Sequence, residues 1–188
     1  MTTQAEMREI AAEERADLGI GPRDRLDPYA LCKLHGINVY PVSSFDGRGD
    51  LDAVVHFTLG RASAWSAALI PIGSARIILE NDSHAPVRRR SSIAHELGHF
   101  LLEHPFDEVL LDEDHERQFD AKQEKEAKYF SGELLVPLKA AEQAAFNGWD
   151  NARVAHVYGV SEQFAQMQMK GQRVRAQRAA RNFRRFAG

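Results

Sequence analysis

Ser92-Ile93-Ala94-His95-Glu96-Leu97-Gly98-His99-Phe100-Leu101-Leu102 decides the reading of this chain of 188 residues. Ile93, Leu97, Phe100 and Leu101 recur at helical spacing and make an apolar stripe. On such a helix His95 and His99 stand one turn apart on one face, so two imidazoles can reach one metal ion. Glu96 sits one position further round, where its carboxylate can contact a metal-bound water without taking a ligand position. Two neutral nitrogen ligands, a general base beside the water and an open coordination position are what a zinc hydrolase needs. The chain has eight histidines, so the bare spacing can arise by chance. Two histidines in register, with an acid that would be costly to bury, argue against a pair of core histidines. Gly98 costs the helix about 1 kcal/mol relative to alanine. Its missing side chain would let another backbone approach closely beside the metal.

A third ligand is sought downstream. An acidic, poorly periodic segment, Asp107 to Glu116, precedes a second helical pattern over roughly Arg117 to Leu135. Phe119, Ala127, Phe130, Leu134 and Leu135 give that pattern its apolar positions, and Pro137 stops it. Glu124 and Glu126 are the candidate carboxylates. Glu124 lies three residues from both Ala121 and Ala127 and borders the apolar face, whereas Glu126 is expected to point more towards water. One carboxylate from this helix would complete a His2Glu catalytic zinc site. On pattern alone, Glu124 reads better as part of a solvated charge run with Lys122, Lys125, Glu126 and Lys128.

The stretch from Arg88 to His104, with the histidine pair at its centre, resembles the metal helix of the ImmA/IrrE family of bacterial and phage metallopeptidases. Glu124-Lys125-Glu126-Ala127-Lys128-Tyr129-Phe130-Ser131-Gly132-Glu133-Leu134-Leu135-Val136-Pro137 is similar to that family's second signature, a glutamate three before an alanine and then a Phe-Ala-x-x-Leu-Leu-x-Pro run. The resemblance extends more weakly over about residues 5 to 170. It implies an α+β fold: a zincin-like core with a small twisted β-sheet packed on the metal-binding helix, and C-terminal helices. It implies His95, His99 and Glu124 as ligands of a Zn2+ ion and Glu96 as the general base. It further implies a zinc-dependent endopeptidase that cleaves a helix-turn-helix repressor or another transcriptional regulator in a phage, mobile-element or stress response. The alternative is a non-proteolytic zinc-binding regulatory or toxin-antitoxin component that binds a partner protein or DNA. The chain departs from the family at Lys128, where Asn or Asp usually stands four residues after the glutamate ligand. Lysine offers no acceptor to orient a ligand histidine and adds a positive charge. Turnover is therefore expected to be weaker than metal binding. Ser131-Gly132 replaces the usual small pair, a milder change.

Composition agrees with one globular domain carrying a tail: 44% of residues are hydrophobic and the net charge is −3. The single cysteine, Cys32, excludes an intramolecular disulfide and a cysteine-based zinc site, and reads as a small buried side chain. Met1 to Ala16 is charged and does not resemble a signal peptide. No run approaches the roughly 18 apolar residues of a membrane span. The expected compartment is the cytoplasm.

Thr3 and Glu6 form a possible capping box for a helix over about 4 to 18, closed by Gly19. Asp27-Pro28 opens a short helix to His35, with Gly36 as its stop. Strands are expected over Ile37 to Val42 and near Ala53 to Leu59, Trp65 to Ile70 and Ala75 to Glu80. The last could be the sheet edge beside the cleft, to which a substrate peptide adds as a strand. His84, His104, His115 and Tyr129 are candidate transition-state donors, though surface or structural roles are favoured for the histidines. Arg88 to Arg90 read as a solvated basic turn or as a site for a substrate carboxylate or phosphate. His35, His56 and His156 are assigned no role.

Asn151 to Val157 and Ser161 to Lys170 are two helical patterns around a turn at Tyr158 to Ser161, in the manner of a helix-turn-helix. Residues 163–188 hold seven basic residues and no acids, leaving residues 1–162 strongly acidic. The division is a zincin-like domain over 1–162 and a basic helical tail over 163–188, with Gly171 as a plausible hinge. Glu162, Gln163 and Gln166 are few for base recognition, and the charge lies beyond them. A solvated helix is favoured over nucleic-acid binding.

Overall fold

The computed structural model describes residues 2–45, 55, 65–105 and 121–186, and local chemistry explains where its elements begin and end. Helix α1 (Gln4–Asp17) opens on the Thr3–Glu6 capping box, each side chain accepting the other's backbone N–H. Helix α2 (Pro28–Leu34) follows Asp27, whose carboxylate accepts the Tyr29 N–H, with proline at the first helical position. Strand β1 (Asn38–Pro41) passes into a 3-10 turn at Val42–Phe45. Strands β2 (Ala67–Ile72) and β3 (Ala75–Glu80) are joined by Gly73-Ser74, and helix α3 (Pro86–Leu101) again starts on a proline. Helix α4 (Ala121–Leu135) stops before Pro137 and α5 (Leu138–Phe146) follows. Helix α6 (Asn151–Tyr158) ends on Gly159 in the left-handed conformation, and α7 (Glu162–Phe186) runs unbroken through Gly171, with no hinge. The helical pair expected around Tyr158 to Ser161 is therefore present, and α7 extends well past Lys170.

The sheet has the order β1-β3-β2, with β1 parallel and β2 antiparallel to β3. This corrects the expectation that Ala75 to Glu80 is an edge: β3 is the middle of the three described strands. Its sequence Arg76-Ile77-Ile78-Leu79 suits that place, since a strand flanked on both sides and covered by a helix needs apolar residues in succession. The strand expected near Ala53 to Leu59 lies outside the described residues except at Val55, which is helical.

Leu69 and Ile78 of the sheet, Ile93 and Leu97 of α3, and Phe130 and Leu134 of α4 are fully buried in one cluster. Each such side chain stabilises the fold by about 1.5–3 kcal/mol. Helix α3 packs on β2 and β3 and along α4, so the histidine helix is fixed on both flanks. The architecture is α+β, with seven helices and a three-stranded sheet among the described residues, and it is consistent with a zincin-like core.

The three arginines before the histidines differ in their surroundings, and only Arg88 is exposed as a solvated basic turn would be. Arg90 is buried and donates to the carbonyls of Gly159 at 2.9 Å and Leu26 at 2.5 Å, tying α3 to the end of α6. Arg89 forms an ion pair with buried Glu80, and Arg88 donates to Ser66 Oγ. Cys32 is buried in the core, and desolvation pushes its thiol pKa up to about 12, as suits an inert packing residue. Among the described residues no helix is long and apolar enough to cross a membrane.

Candidate metal centre

Two histidines one helical turn apart bring their Nε2 atoms to 3.1 Å on α3. What brings the third group to them is Gly98. A Cβ built at this position would meet the Ala127 carbonyl oxygen at 3.0 Å and its Cα at 3.1 Å, so α4 lies against bare helix backbone. Ala127 is three residues from Glu124, and at this separation the Glu124 side chain reaches both rings. Its Oε2 is 3.2 Å from His95 Nε2 and its Oε1 is 3.3 Å from His99 Nε2. The close approach inferred from Gly98 in the sequence is therefore present, and it is made by the helix that carries Glu124.

His95, His99 and Glu124 are the one group of metal-ligating side chains found among the described residues, with ligand atoms within 4.8 Å of one another. The donor set fits zinc. Bonds of about 2.0–2.1 Å at tetrahedral angles place ligand atoms roughly 3.3 Å apart, close to the 3.1 Å between the two Nε2 atoms and to the distance from each to the Glu124 oxygen it faces, Oε2 for His95 and Oε1 for His99. Two imidazoles and one carboxylate leave a fourth position for water or substrate. His99 is almost wholly buried, whereas His95 and Glu124 are partly exposed, so the group opens on one side.

Electrostatics show what this arrangement asks for. Burial opposes protonation of His95, but its hydrogen bond to Glu124 and the charges of Glu96 and Glu124 outweigh this and raise its pKa; the charge of Lys128 acts in the opposite sense. The same hydrogen bond holds Glu124 below the usual carboxylate range, against its partial burial. A positive charge is favoured at this point, and a proton between His95 and Glu124 is the simplest way to supply it. Glu96 is buried, and its Oε2 accepts the backbone N–H of Leu69 at 2.8 Å. Strand β2 thereby sets the orientation of the carboxylate beside the two histidines.

Two further residues reach the site in ways the sequence did not suggest. Glu126 does not turn to water: its side chain is 14% exposed, and its Oε2 lies 3.3 Å from His104 Nε2. His104 is itself buried, and its Nδ1 is 3.0 Å from Nδ1 of His99. Of the surface and structural roles expected for it, the buried position fits the structural one. Tyr129, the other candidate donor, has its hydroxyl tied to Arg8 of α1 at 2.8 Å. His84 lies in the loop before α3, and His115 lies outside the described residues.

The model of the IrrE N-terminal-like domain, peptidase family M78, matches residues 32–170. That span takes in the sheet, both helices of the candidate centre and the start of α7, and the chain belongs to this family of peptidases. No curated protein matches the chain.

Proposed function

Membership in this peptidase family is the premise from which we propose that the chain is a zinc-dependent endopeptidase of the ImmA/IrrE type, with His95, His99 and Glu124 as metal ligands and Glu96 as general base. The observation that carries the proposal is the convergence of two imidazole nitrogens and one carboxylate, with ligand atoms within 4.8 Å of one another, and the buried Glu96 carboxylate next in sequence to one of them. A zinc ion held there supplies Lewis acidity to the scissile carbonyl and acidifies water at neutral pH.

The chain's own residues do the rest. Glu96 takes the proton of the attacking water and returns it to the leaving amine. The Leu69 N–H holds one of its oxygens, so the base does not have to be oriented when substrate arrives. The partial exposure of His95 and Glu124 gives the reacting peptide an approach, while buried His99 would hold a metal ion from the core. The proposed substrate is a helix-turn-helix repressor or another transcriptional regulator. A flexible peptide segment of such a protein would suit a site that opens on one side.

The test is Glu96→Gln beside the wild type, incubated with a co-encoded transcriptional regulator and measured for metal content. Glutamine is nearly isosteric and retains an oxygen for the Leu69 N–H, but it cannot accept the water's proton. Zinc content and folding should be unchanged while cleavage falls by about 10²-fold or more. Cleavage surviving near the wild-type rate would refute the assigned base. Zinc bound by both forms with no regulator cleaved by either would favour the non-proteolytic regulatory reading.

A further inference from the structure

Helix α3 ends in a way that carries a consequence for the metal ligands. Leu102 is its C-cap, and Glu103 follows at φ 52°, the one non-glycine residue with positive φ among those described. The Glu103 N–H donates to the Phe100 carbonyl at 3.1 Å and the His104 N–H to the His99 carbonyl at 3.0 Å. These are the two hydrogen bonds of a Schellman motif, in which the residue beyond the left-handed position folds back over the residue three from the helix end. Those two residues are His104 and His99. An apolar contact usually closes this motif. Here two imidazoles close it, with ring centroids 5.0 Å apart and planes at 72°. Glycine is the usual residue at the left-handed position, and a glutamate there costs about 1–2 kcal/mol. The chain accepts that strain to place a histidine on the far edge of a ligand ring.

We propose that His104 and Glu126 are positioning residues that fix His99 in the one tautomer able to bind the metal. The inference rests on the reading of His95, His99 and Glu124 as ligands. For His99 Nε2 to offer a lone pair to the metal, its proton must be on Nδ1. That N–H donates to His104 Nδ1 at 3.0 Å, which must then be the bare nitrogen of its ring. The His104 proton is therefore on Nε2, where it donates to Glu126 Oε2 at 3.3 Å. One arrangement of protons satisfies every step from the carboxylate to the metal. The geometry also excludes His104 as a ligand, because it meets the edge of His99 opposite the one that faces Glu124. Lys128, one turn beyond Glu124, has no acceptor to offer a histidine. The chain thus draws its orienting acceptor from the turn after α3 and backs it with a carboxylate from α4.

Zinc affinity by chelator competition in the full chain tests this, with Glu126→Leu, Glu126→Gln and His104→Phe compared with wild type. Glu126→Leu and His104→Phe should still take up about one zinc at saturation but bind it about 10- to 100-fold more weakly. Glu126→Gln keeps an acceptor for His104 and should recover most of the affinity, which a role confined to packing would not produce. Long-range proton–nitrogen NMR of the zinc-loaded wild type gives a readout that depends on no substitution: His99 protonated on Nδ1 and His104 on Nε2. A His104 ring protonated on Nδ1, or Glu126→Leu binding zinc within threefold of wild type, would overturn the proposal while leaving the ligand assignment standing. A wild-type protein that takes up no zinc would overturn the ligand assignment and this proposal with it.

Discussion

Helices α3 and α7 carry the two most conspicuous polar patterns of the chain, histidines in one and arginines in the other, and use them in opposite ways. Along α3 the polar groups are drawn inward: Arg90 bonds carbonyls, Glu96 holds a strand N–H, and His99 is buried against the site. Along α7 the described charges turn outward, while Ala165 and Met169 face the core. Arg173 meets Asn151 and Arg175 meets Glu142, while Arg178 and Arg181 are exposed. Cations on the outward face of a helix require nothing further, because water and salt screen them. Two imidazoles and a carboxylate brought together where burial opposes charge do require something, and a cation satisfies them. Convergence and desolvation, rather than the amount of charge, mark the chemical end of this molecule.

The largest expected effect follows directly. His95→Ala or His99→Ala should abolish zinc binding, measured as metal content after dialysis, whereas Arg178→Ala and Arg181→Ala should leave it at about one zinc per chain. Two remaining protein ligands rarely hold zinc. Full metal content in both histidine variants would erase the contrast between the helices. The same measurement has a pH dependence of known sign. Zinc must displace the proton that His95, with its raised pKa, holds against Glu124. Affinity is therefore lost as pH falls through that raised value and retained above it. An affinity that stays flat between about pH 6 and 8 would mean no proton is displaced from a histidine ligand.

A pair of glycines sharpens the comparison at the level of stability. Gly98 and Gly171 both lie inside helices, and alanine is favoured over glycine there by about 1 kcal/mol. At Gly171 a Cβ meets nothing within 4 Å, so Gly171→Ala should stabilise the protein by roughly that amount. At Gly98 the added carbon meets backbone of α4, which has no rotamer with which to move aside. Gly98→Ala should lose the propensity gain and more, and Gly98→Val should destabilise by about 1–3 kcal/mol. Zinc affinity should fall with it as Glu124 is pushed away. Denaturant unfolding of the metal-free proteins separates the two signs. A stabilising Gly98→Ala would show that α4 can shift without cost.

These two glycines also show how far the sequence could be read. Its pattern contained the histidine helix and the purpose of Gly98, because each depends on helical periodicity within one or two elements. The choice of Glu124 as the ligand came from the family resemblance, and periodicity alone turned Glu126 to water. It placed α1, α2, β3 and the turn at Gly159 for similar local reasons. It did not contain the sheet order, since β3 enters the middle through pairings made at long range. It missed Arg90 because a run of three arginines looks solvated until the carbonyls that receive one of them are known. His104 was missed for a subtler reason. The signal for a helix ending of this kind is glycine at the left-handed position, and here that position is Glu103. Without the turn, His104 looks like one histidine among several, and Glu126 looks like part of a charge run.

The smallest expected effect decides to which side of the comparison Lys128 belongs. Its charge reaches His95, where it opposes protonation, and it must likewise oppose a metal cation. The side chain is exposed, however, so salt should screen that effect as it screens the arginines of α7. Lys128→Asn is therefore expected to raise zinc affinity by only about two- to fivefold at low ionic strength, within the range of exposed charge effects. The gain should shrink at about 0.5 M salt. If His104 and Glu126 already orient His99, the new amide has no vacant task at that ring. A gain of tenfold or more that survives high salt would instead show an orienting hydrogen bond made by the asparagine. Lys128 would then mark a vacancy in the supporting shell of α3 rather than a solvated charge of the kind that covers α7.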